Sequence, residues 1–106
     1  MSAPARPVVY EVNLDVEASI AAAYRAWLDA HMAQMLALPG FIGAQAFDVV
    51  EPAIEGRIAF CVHYRLRDAA ALEAYLRDHA PRMRADAVAR FGDRFRARRR
   101  VLRPVE

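Results

Sequence analysis

The residues best suited to chemistry in this sequence are its three histidines, and two of them stand in a repeated pattern. His31 follows Trp27 and Leu28 and precedes Met35; 48 positions later, His79 stands in the same relation to Tyr75, Leu76 and Met83. At about 100° per residue, the four positions of each copy share one face of a helix. A histidine on such a face could act as a general acid or base. The favoured interpretation is a histidine packed at the edge of the core that hydrogen-bonds to a backbone or carboxylate partner, and the catalytic interpretation stays open beside it.

A second group of polar residues falls on one side of two predicted strands. Period-two alternation places Glu11 and Asn13 on one face of the first strand, and Cys61 and His63 on the equivalent face of the third. A histidine beside a carboxylate could transfer protons or orient a phenolic ligand, and it could also hold two sheets in register. Glu11, Asn13 and His63 are therefore the candidate catalytic residues. The candidate ligand-binding residues are Trp27, His31 and His79, which we expect to line the space between sheet and helices, and Arg98, which we expect on the open face.

Other kinds of site are disfavoured by the residues that the chain contains. The two serines, Ser2 and Ser19, stand in the N-terminal arm and at a helix start, which excludes a serine nucleophile. The single cysteine excludes an intramolecular disulfide and a cysteine zinc knuckle. No histidine or carboxylate spacing completes a metal-ligand set, and the glycines form no phosphate-binding loop. We expect neither a metal nor a cofactor.

The hydrophobic pattern predicts four strands and two helices, the second of them interrupted. The strands are expected at Val8–Val16, Phe41–Val50, Arg57–Leu66 and Arg94–Leu102. A first helix begins at Asp15 or Glu17 and extends to about Leu38, where Pro39 and Gly40 end it. Asp68 caps a second helix that extends from Ala69 to about Ala80. Pro81 then opens a shorter helix that ends before Gly92.

The order of these elements is βαββαβ, and its two halves resemble each other. This order predicts an α+β, ferredoxin-like fold with a four-stranded antiparallel sheet and both helices on one face. Residues 8–106 are expected to form a single domain, and residues 1–7 a flexible arm. The more apolar face of each strand should lie under the helices. The open face would then carry Val9, Glu11, Asn13, Asp15, Arg57, Ala59, Cys61, His63, Arg65, Arg96, Arg98 and Arg100.

The charge distribution is nearly balanced over the chain and basic at one place. The net charge is +2, all fifteen basic residues are arginine, and six of them lie between Arg94 and Arg103. A solvated, charged edge strand explains this cluster best, and binding of an anionic ligand is the next interpretation. RNA binding is the least favoured, because the third strand lacks the exposed aromatic residues of RNA-recognition sheets. No signal peptide or membrane-length apolar run is present, so a cytoplasmic location is expected.

Several motifs taken together resemble a known family. They are Tyr10–Leu14, Tyr24–Leu36, Leu38–Phe41, Tyr64–Leu66 and Arg90–Phe95. As a set they are similar to an uncharacterised bacterial domain-of-unknown-function family in the dimeric α+β-barrel superfamily, which includes antibiotic-biosynthesis monooxygenases. The resemblance implies a homodimer in which two sheets face each other inside a layer of helices. The superfamily also holds haem-degrading enzymes, lactone isomerases and non-catalytic ligand-sensing domains, so the resemblance does not select an activity.

The haem-degrading branch can be compared residue by residue. Its pattern implies an Asn on the first strand, a Trp near the end of the third and a His on the second helix. Asn13 and His79 match, but Tyr64 and Leu66 occupy the place of the Trp, which disfavours haem degradation. The favoured function is a homodimeric barrel that binds a small aromatic or anionic molecule without a cofactor. The alternatives are a non-catalytic dimerising or regulatory module, a cofactor-free monooxygenase-like enzyme and an RNA or polyanion binder.

Overall fold

A computed structural model describes residues 6–106 of the chain. The predicted arm, residues 1–7, lies almost entirely outside the described residues. The strands are β1 (Val8–Glu17), β2 (Phe41–Asp48), β3 (Arg57–Leu66) and β4 (Phe95–Leu102), and the helices are α1 (Ala21–Leu36), α2 (Ala69–Asp78) and α3 (Ala80–Phe91). A single 3₁₀ turn, Ala18–Ile20, joins β1 to α1. No helix in the described part of the chain has the length and apolar character needed to cross a membrane.

The four strands form one antiparallel sheet in the order β2-β3-β1-β4, which confirms the predicted ferredoxin-like topology. β1 is a central strand, and it pairs with β3 on one side and β4 on the other. In this register Glu11 lies between His63 of β3 and Arg100 of β4. Asn13, two residues further along the same face, lies between Cys61 and Arg98. Residues far apart in sequence therefore meet at the centre of the open face.

The core lies between the sheet and the three helices, on the side that alternation predicted. Tyr10, Leu14 and Val16 of β1 are buried, as is the alternate series that begins at Phe60 in β3. On the helices the buried residues are Tyr24, Trp27, Leu28, Met35, Ala71, Leu72, Tyr75, Ala80, Met83 and Ala87. Three residues of the first copy of the repeat, Trp27, Leu28 and Met35, are thus buried, whereas Leu76 of the second copy is exposed. The copies differ because the second spans the break between α2 and α3 at His79.

The predicted start of the first helix was wrong. β1 continues to Glu17, and the backbone N–H groups of Glu17 and Ala18 donate to the carbonyls of Arg94 and Gly56 at 3.0 and 2.9 Å. These bonds hold residues 17 and 18 against their neighbours, so α1 begins only at Ala21. Smaller differences occur at the ends of two elements: α1 ends at Leu36 rather than Leu38, and β2 at Asp48 rather than Val50.

The start of α2 is fixed by the cap that the sequence predicted. The side chain of Asp68 accepts a hydrogen bond from the backbone N–H of Ala71 at 2.8 Å. Gly40, in the turn after α1, has φ of +85°, and a Cβ at that position would lie 2.5 Å from the Cβ of Ala71. Its carbonyl accepts from the backbone N–H of Arg67 at 2.8 Å. A glycine at position 40 therefore allows this turn to pack against the first turn of α2.

Candidate functional site

The polar residues of the open face form a connected cluster around Glu11. The Nε2 atom of His63 lies 2.8 Å from Oε2 of Glu11. Asn13 Nδ2 donates to Oε1 at 2.8 Å, and Arg100 Nε donates to the same oxygen at 2.6 Å. Neighbouring side chains leave Glu11 only 4% exposed. The structure therefore brings together all three candidate catalytic residues, Glu11, Asn13 and His63, and adds Arg100, which the sequence analysis did not single out as a site residue.

The charge state of this Glu11 cluster favours a structural or orienting role. Hydrogen bonds from Arg100, Asn13 and His63 hold the pKa of Glu11 at about 2, although burial alone would raise it. A carboxyl group with so low a pKa stays ionised at neutral pH and takes up a proton poorly. Burial and the nearby Glu11 carboxylate raise the pKa of the Cys61 thiol, so it is not an activated nucleophile. Glu11 is thus a fixed acceptor that orients His63.

A metal ion is the other occupant that this cluster could have. Donor atoms of Glu11, Cys61 and His63 lie within 4.8 Å of one another, and zinc uses these ligand types. However, both carboxylate oxygens of Glu11 already have hydrogen-bond partners, and the guanidinium of Arg100 is one of them. A cation would have to displace His63 from Oε2 beside a fixed positive charge. The geometry favours the ion-pair network, and the absence of a metal stays a prediction.

A separate cavity lies between the sheet and the helices, with a volume of about 340 Å³. Its walls come from β1, β3 and β4 below and from all three helices above. Six aromatic side chains line it together with aliphatic ones; the aromatic residues are Tyr10, Tyr24, Trp27, Tyr64, Tyr75 and Phe95. We call this space the sheet–helix cavity. It is large enough for a small organic molecule, because ligand pockets begin at roughly 300 Å³.

The ionised side chains that line the sheet–helix cavity are both cationic, and its other polar groups are neutral. Arg84 and Arg99 line it, and the Nη2 atom of Arg84 donates to the hydroxyl of Tyr10 at 2.8 Å. His31 also lines it and stacks on Trp27, with ring centroids 4.5 Å apart and planes inclined by 19°. Burial lowers the pKa of His31; Asp86 opposes this shift and Arg99 adds to it. The imidazole is therefore neutral at pH 7.

The sequence predicted some of the residues that line the sheet–helix cavity and did not predict others. Trp27, His31 and His79 were predicted to line the space between sheet and helices; Trp27 and His31 do, and His79 does not. Arg99 was missed, although its position carried a signal. It shares a face of β4 with Phe95 and Ala97, which pack against the core, so an arginine there is directed towards the helices. Arg84 had no such signal, because its approach to Tyr10 depends on where α3 lies over the sheet.

Two candidate ligand-binding residues lie elsewhere. His79 stands at the junction of α2 and α3, where its Nδ1 atom lies 3.1 Å from Nη2 of Arg82. It is not among the residues that line the sheet–helix cavity. Arg98 projects from the open face and lines a second, larger cavity of about 650 Å³ beside the β2–β3 loop. Their roles stay predictions.

The strand order and the helices on one face of the sheet define the class of protein: a ferredoxin-like α+β domain. The sequence pattern of a family described as "Domain of unknown function (DUF4286)" matches residues 7–105. The chain belongs to this family. The resemblance inferred from the motifs is thereby confirmed. No curated protein matches the chain significantly.

Several solved structures share the fold across nearly their whole length. SnoaB from Streptomyces nogalater, a cofactor-independent oxygenase, has a TM-score of 0.66 and 15% identity, over 96% of each chain. A candidate antibiotic biosynthesis monooxygenase from Nitrosomonas europaea has a TM-score of 0.69 and 15% identity, over 99% of this chain and 96% of the other. A protein of the ethyl tert-butyl ether d (ethd) family from Bacillus halodurans has a TM-score of 0.66 and 16% identity, over 92% of this chain and 99% of the other. At these identities the likeness shows the fold alone.

Proposed function

We propose that the protein is a homodimer whose sheet–helix cavity binds a small aromatic molecule that carries a negative charge. One observation carries the proposal: an aromatic-lined cavity of about 340 Å³ whose charged lining residues are both arginines. Aromatic walls favour a flat ring through stacked and edge-to-face contacts. The volume, at the lower end of the range for ligand pockets, suits a molecule of one or two rings.

The charge of the ligand is inferred from Arg99. Ion pairs hold the open-face arginines Arg57 and Arg100, whereas Arg99 forms none with residues 6–106. Its positive charge nevertheless reaches into the cavity. Burial raises the pKa of Tyr75 to about 12, and Arg84 and Arg99 both oppose that shift. A carboxylate or phenolate in the cavity would complete a charge-assisted pair with this guanidinium.

The homodimer is inferred from the open face and from the resemblance to dimeric α+β barrels. The middle of that face holds small residues, Ala59 and Cys61, that leave room for a second sheet. Phe47 of β2 is 39% exposed there, with its ring 5.3 Å from that of His63 in an edge-on contact. The Glu11 cluster gives the face a rigid centre. A second copy would cover Phe47 and the small residues together, and the assembly would bury apolar area that the monomer exposes.

Ligand binding can be tested with the single tryptophan as the reporter. Trp27 is 9% exposed and lines the cavity, so a bound ring should quench its fluorescence. We expect phenylacetate to bind more tightly than phenylacetamide, which has the same ring but no charge. Arg99→Gln should lower the affinity for phenylacetate by about tenfold, the effect of losing one charge-assisted hydrogen bond.

Arg98→Gln is the matched control for this experiment, because Arg98 is the next residue of β4 and lies on the opposite face of the sheet. Its affinity for phenylacetate should equal that of the wild type. Equal binding of the acid and the amide would contradict the anionic ligand. Equal losses in the two arginine variants would contradict the placement of the ligand in the sheet–helix cavity.

Dimerisation can be tested by sedimentation equilibrium. The wild-type protein should sediment at twice the chain mass of 11.9 kDa. Ala59→Arg places a large cation at the centre of the open face and should yield monomers. Ala23→Arg adds the same charge on the exposed side of α1 and should remain dimeric. A wild-type protein that sediments as a monomer at micromolar concentration would contradict the proposed assembly.

A second candidate is a cofactor-free monooxygenase-like enzyme, which the likeness to SnoaB favours. Such an enzyme would consume oxygen in the presence of a hydroxyaromatic compound. With 1-naphthol as the probe, the balanced reaction converts naphthol and O₂ into naphthoquinone and water. Oxygen uptake no faster than that without protein would leave the binding function as the better account.

A further inference from the structure

We infer that His31 is a general base that enolises an aromatic 2-oxo acid bound in the sheet–helix cavity, an inference that rests on the proposed function. The observations are an imidazole on the cavity wall that stacks on Trp27, a guanidinium lining the same cavity, and aromatic residues in its walls. None of these is required for packing alone. Together they provide a proton acceptor, a partner for the developing oxyanion and a binding surface for the ring.

The imidazole of His31 is available as a hydrogen-bond or proton acceptor, whereas the rings of His63 and His79 already have side-chain partners. His63 is held by Glu11 at 2.8 Å, and His79 by Arg82 at 3.1 Å. His31 forms no hydrogen bond with any residue in the range 6–106, yet its surroundings are partly buried and it lines a cavity. A nitrogen lone pair directed into such a space needs a partner from solvent or from a ligand.

The orientation of the ring is set by a chain of two contacts. Asp86 of α3 accepts a hydrogen bond from Trp27 Nε1 at 2.7 Å, which fixes the indole plane. The imidazole of His31 then stacks on that plane. Trp27 and Asp86 are therefore positioning residues for His31. A general base whose ring is held before the substrate arrives loses little entropy in the reaction.

The charges that face His31 suit proton abstraction. Asp86 on α3 and Arg99 on β4 are the charged groups that act on it, and they act in opposite directions. Burial is the largest effect and lowers the pKa of the imidazole, so the neutral, proton-accepting form predominates at pH 7. Arg99 thus has two effects: it keeps His31 unprotonated in the free protein and pairs with negative charge on a substrate.

A 2-oxo acid with an aromatic ring matches this set of groups. Its ring would contact the aromatic walls. Its carboxylate and neighbouring oxo oxygens lie side by side, an arrangement that a planar guanidinium can bind through two N–H groups. The C3 hydrogens between ring and oxo group are acidic, because the resulting carbanion is an enolate. The oxygen that gains charge is then one that Arg99 already contacts.

The step needs no second reactant. A nitrogen of His31 takes a proton from C3, and the electron pair of that C–H bond becomes the C2–C3 double bond. The π pair of the oxo group moves onto oxygen, and the resulting enolate is held by Arg99. The imidazolium then returns the proton to the oxygen, which gives the enol, or to C3, which restores the keto acid. The net change is an isomerisation, with nothing oxidised or reduced.

The experiment follows exchange of the C3 protons of phenylpyruvate in D₂O by ¹H NMR, with the rate in buffer subtracted. The wild-type protein should accelerate the exchange. His31→Gln should reduce the accelerated rate by about a hundredfold or more, the usual contribution of a general base. Arg99→Gln should lower kcat and raise KM, whereas Arg96→Gln, which removes a charge from the opposite face of β4, should leave both unchanged.

Binding is measured in parallel, so that the two proposals can fail separately. If phenylpyruvate quenches Trp27 but its exchange rate equals that in buffer, the general-base inference is wrong and the binding proposal stands. The same conclusion follows if His31→Gln exchanges as fast as the wild type. If phenylpyruvate does not bind, both proposals fall. If His31→Gln does not fold, the pH dependence of the wild-type exchange rate replaces that variant as the test. The exchange rate should rise with pH to a plateau, with a midpoint below pH 6.5. A rate that does not change with pH would overturn the inference.

Discussion

The indole Nε1 of Trp27 donates a hydrogen bond to Oδ2 of Asp86 at 2.7 Å, and this contact joins α1 to α3 across 59 residues of sequence. Trp27 is also a wall of the sheet–helix cavity and the surface on which His31 stacks. One hydrogen bond to a carboxylate therefore orients both an aromatic wall and the imidazole beside it. The helix α1, which contains the first copy of the repeat, is thus joined to α3 through Asp86, a residue outside the repeat.

Replacement of Asp86 should loosen this arrangement. Asp86→Ala should lower the free energy of unfolding by about 1–2 kcal/mol, because the indole N–H loses a charged acceptor. The emission of Trp27 should shift to longer wavelength as water reaches the ring. Urea unfolding followed by tryptophan fluorescence measures both effects. Asp93→Ala, which removes an exposed carboxylate between α3 and β4, should change neither. Unchanged emission and stability in Asp86→Ala would show that the bond does not hold the ring.

The Glu11 cluster should make the fold sensitive to acid. The pKa of Glu11 is about 2 in the folded protein, against an ordinary value of 4.5, so the unfolded chain takes up this proton first. The stability that Glu11 contributes is then present above about pH 4.5 and is lost as the pH falls towards 2. Glu11→Gln should be less stable at pH 7 by about 1–3 kcal/mol, because His63 and Arg100 lose their charged partner.

The measurement for Glu11 is urea unfolding at a series of pH values and one fixed protein concentration, since dimerisation would couple stability to concentration. Between pH 4.5 and 2 the curve for Glu11→Gln should be flatter than that of the wild type. Glu73→Gln, at an exposed position of α2, should follow the wild-type curve. Parallel curves for the wild type and Glu11→Gln would mean that the carboxylate is not selectively stabilised in the fold.

The meeting of Glu11 with His63 could be predicted because two simple rules determine it. Period-two alternation assigns each residue to a face, and the βαββαβ order makes β1 and β3 neighbours. The contact of Arg100 with Glu11 could not be predicted in the same way. It depends on the register of β4, and a strand with arginines at four of its eight positions offers several registers of similar chemical character.

The repeat shows a second limit of sequence reasoning. The repeat predicted that His31 and His79 each lie on one helix face with an aromatic residue, a leucine and a methionine, and Pro81 predicted a helix break in the second copy. His31 stays within a continuous helix, whereas the chain leaves helical geometry at His79, where φ is −128°. After a helix break, the direction in which each residue of α3 faces depends on how α3 packs against the sheet. The sequence could therefore indicate that a break occurs but could not indicate which histidine would line a cavity.

The turn after α1 offers a test of packing. Gly40→Ala would place a Cβ 2.5 Å from that of Ala71 at a residue with φ of +85°. We expect a loss of about 3 kcal/mol in the free energy of unfolding, from backbone strain together with overpacking. Gly56 has a similar φ of +78° but no atom within 4 Å of the added carbon. Gly56→Ala should therefore cost only about 1 kcal/mol, the strain component alone.

A double variant separates the two components at Gly40. Ala71→Gly removes the atom that the new Cβ would meet, and it should recover part of the stability that Gly40→Ala loses. The cycle of wild type, two single variants and the double variant, measured by thermal or urea unfolding, gives the coupling. Additive effects would show that the contact between positions 40 and 71 does not limit the turn.

The titration of His31 should be visible in stability near neutral pH. Burial lowers its pKa in the folded protein below 6.5, so as the pH falls the unfolded chain takes up this proton before the folded one. The stability linked to neutral His31 is present above the ordinary pKa and is lost as the pH falls through the folded value. Unfolding in urea between about pH 7 and 5 should be less pH-dependent in His31→Gln than in the wild type or His79→Gln.

Two charge variants test which groups face the His31 imidazole. The carboxylate of Asp86 opposes the lowering of the His31 pKa by burial. Asp86→Asn removes that carboxylate, so it should lower the pKa of His31 further and make stability more dependent on pH. Arg99→Gln should raise the pKa of His31 and make stability less dependent on pH, because the guanidinium of Arg99 lowers that pKa. Opposite changes in these two variants, measured by NMR titration of the His31 ring protons, would show that both charges act on the imidazole. Identical titration in the wild type and both variants would remove His31 from the cavity that the proposed chemistry requires.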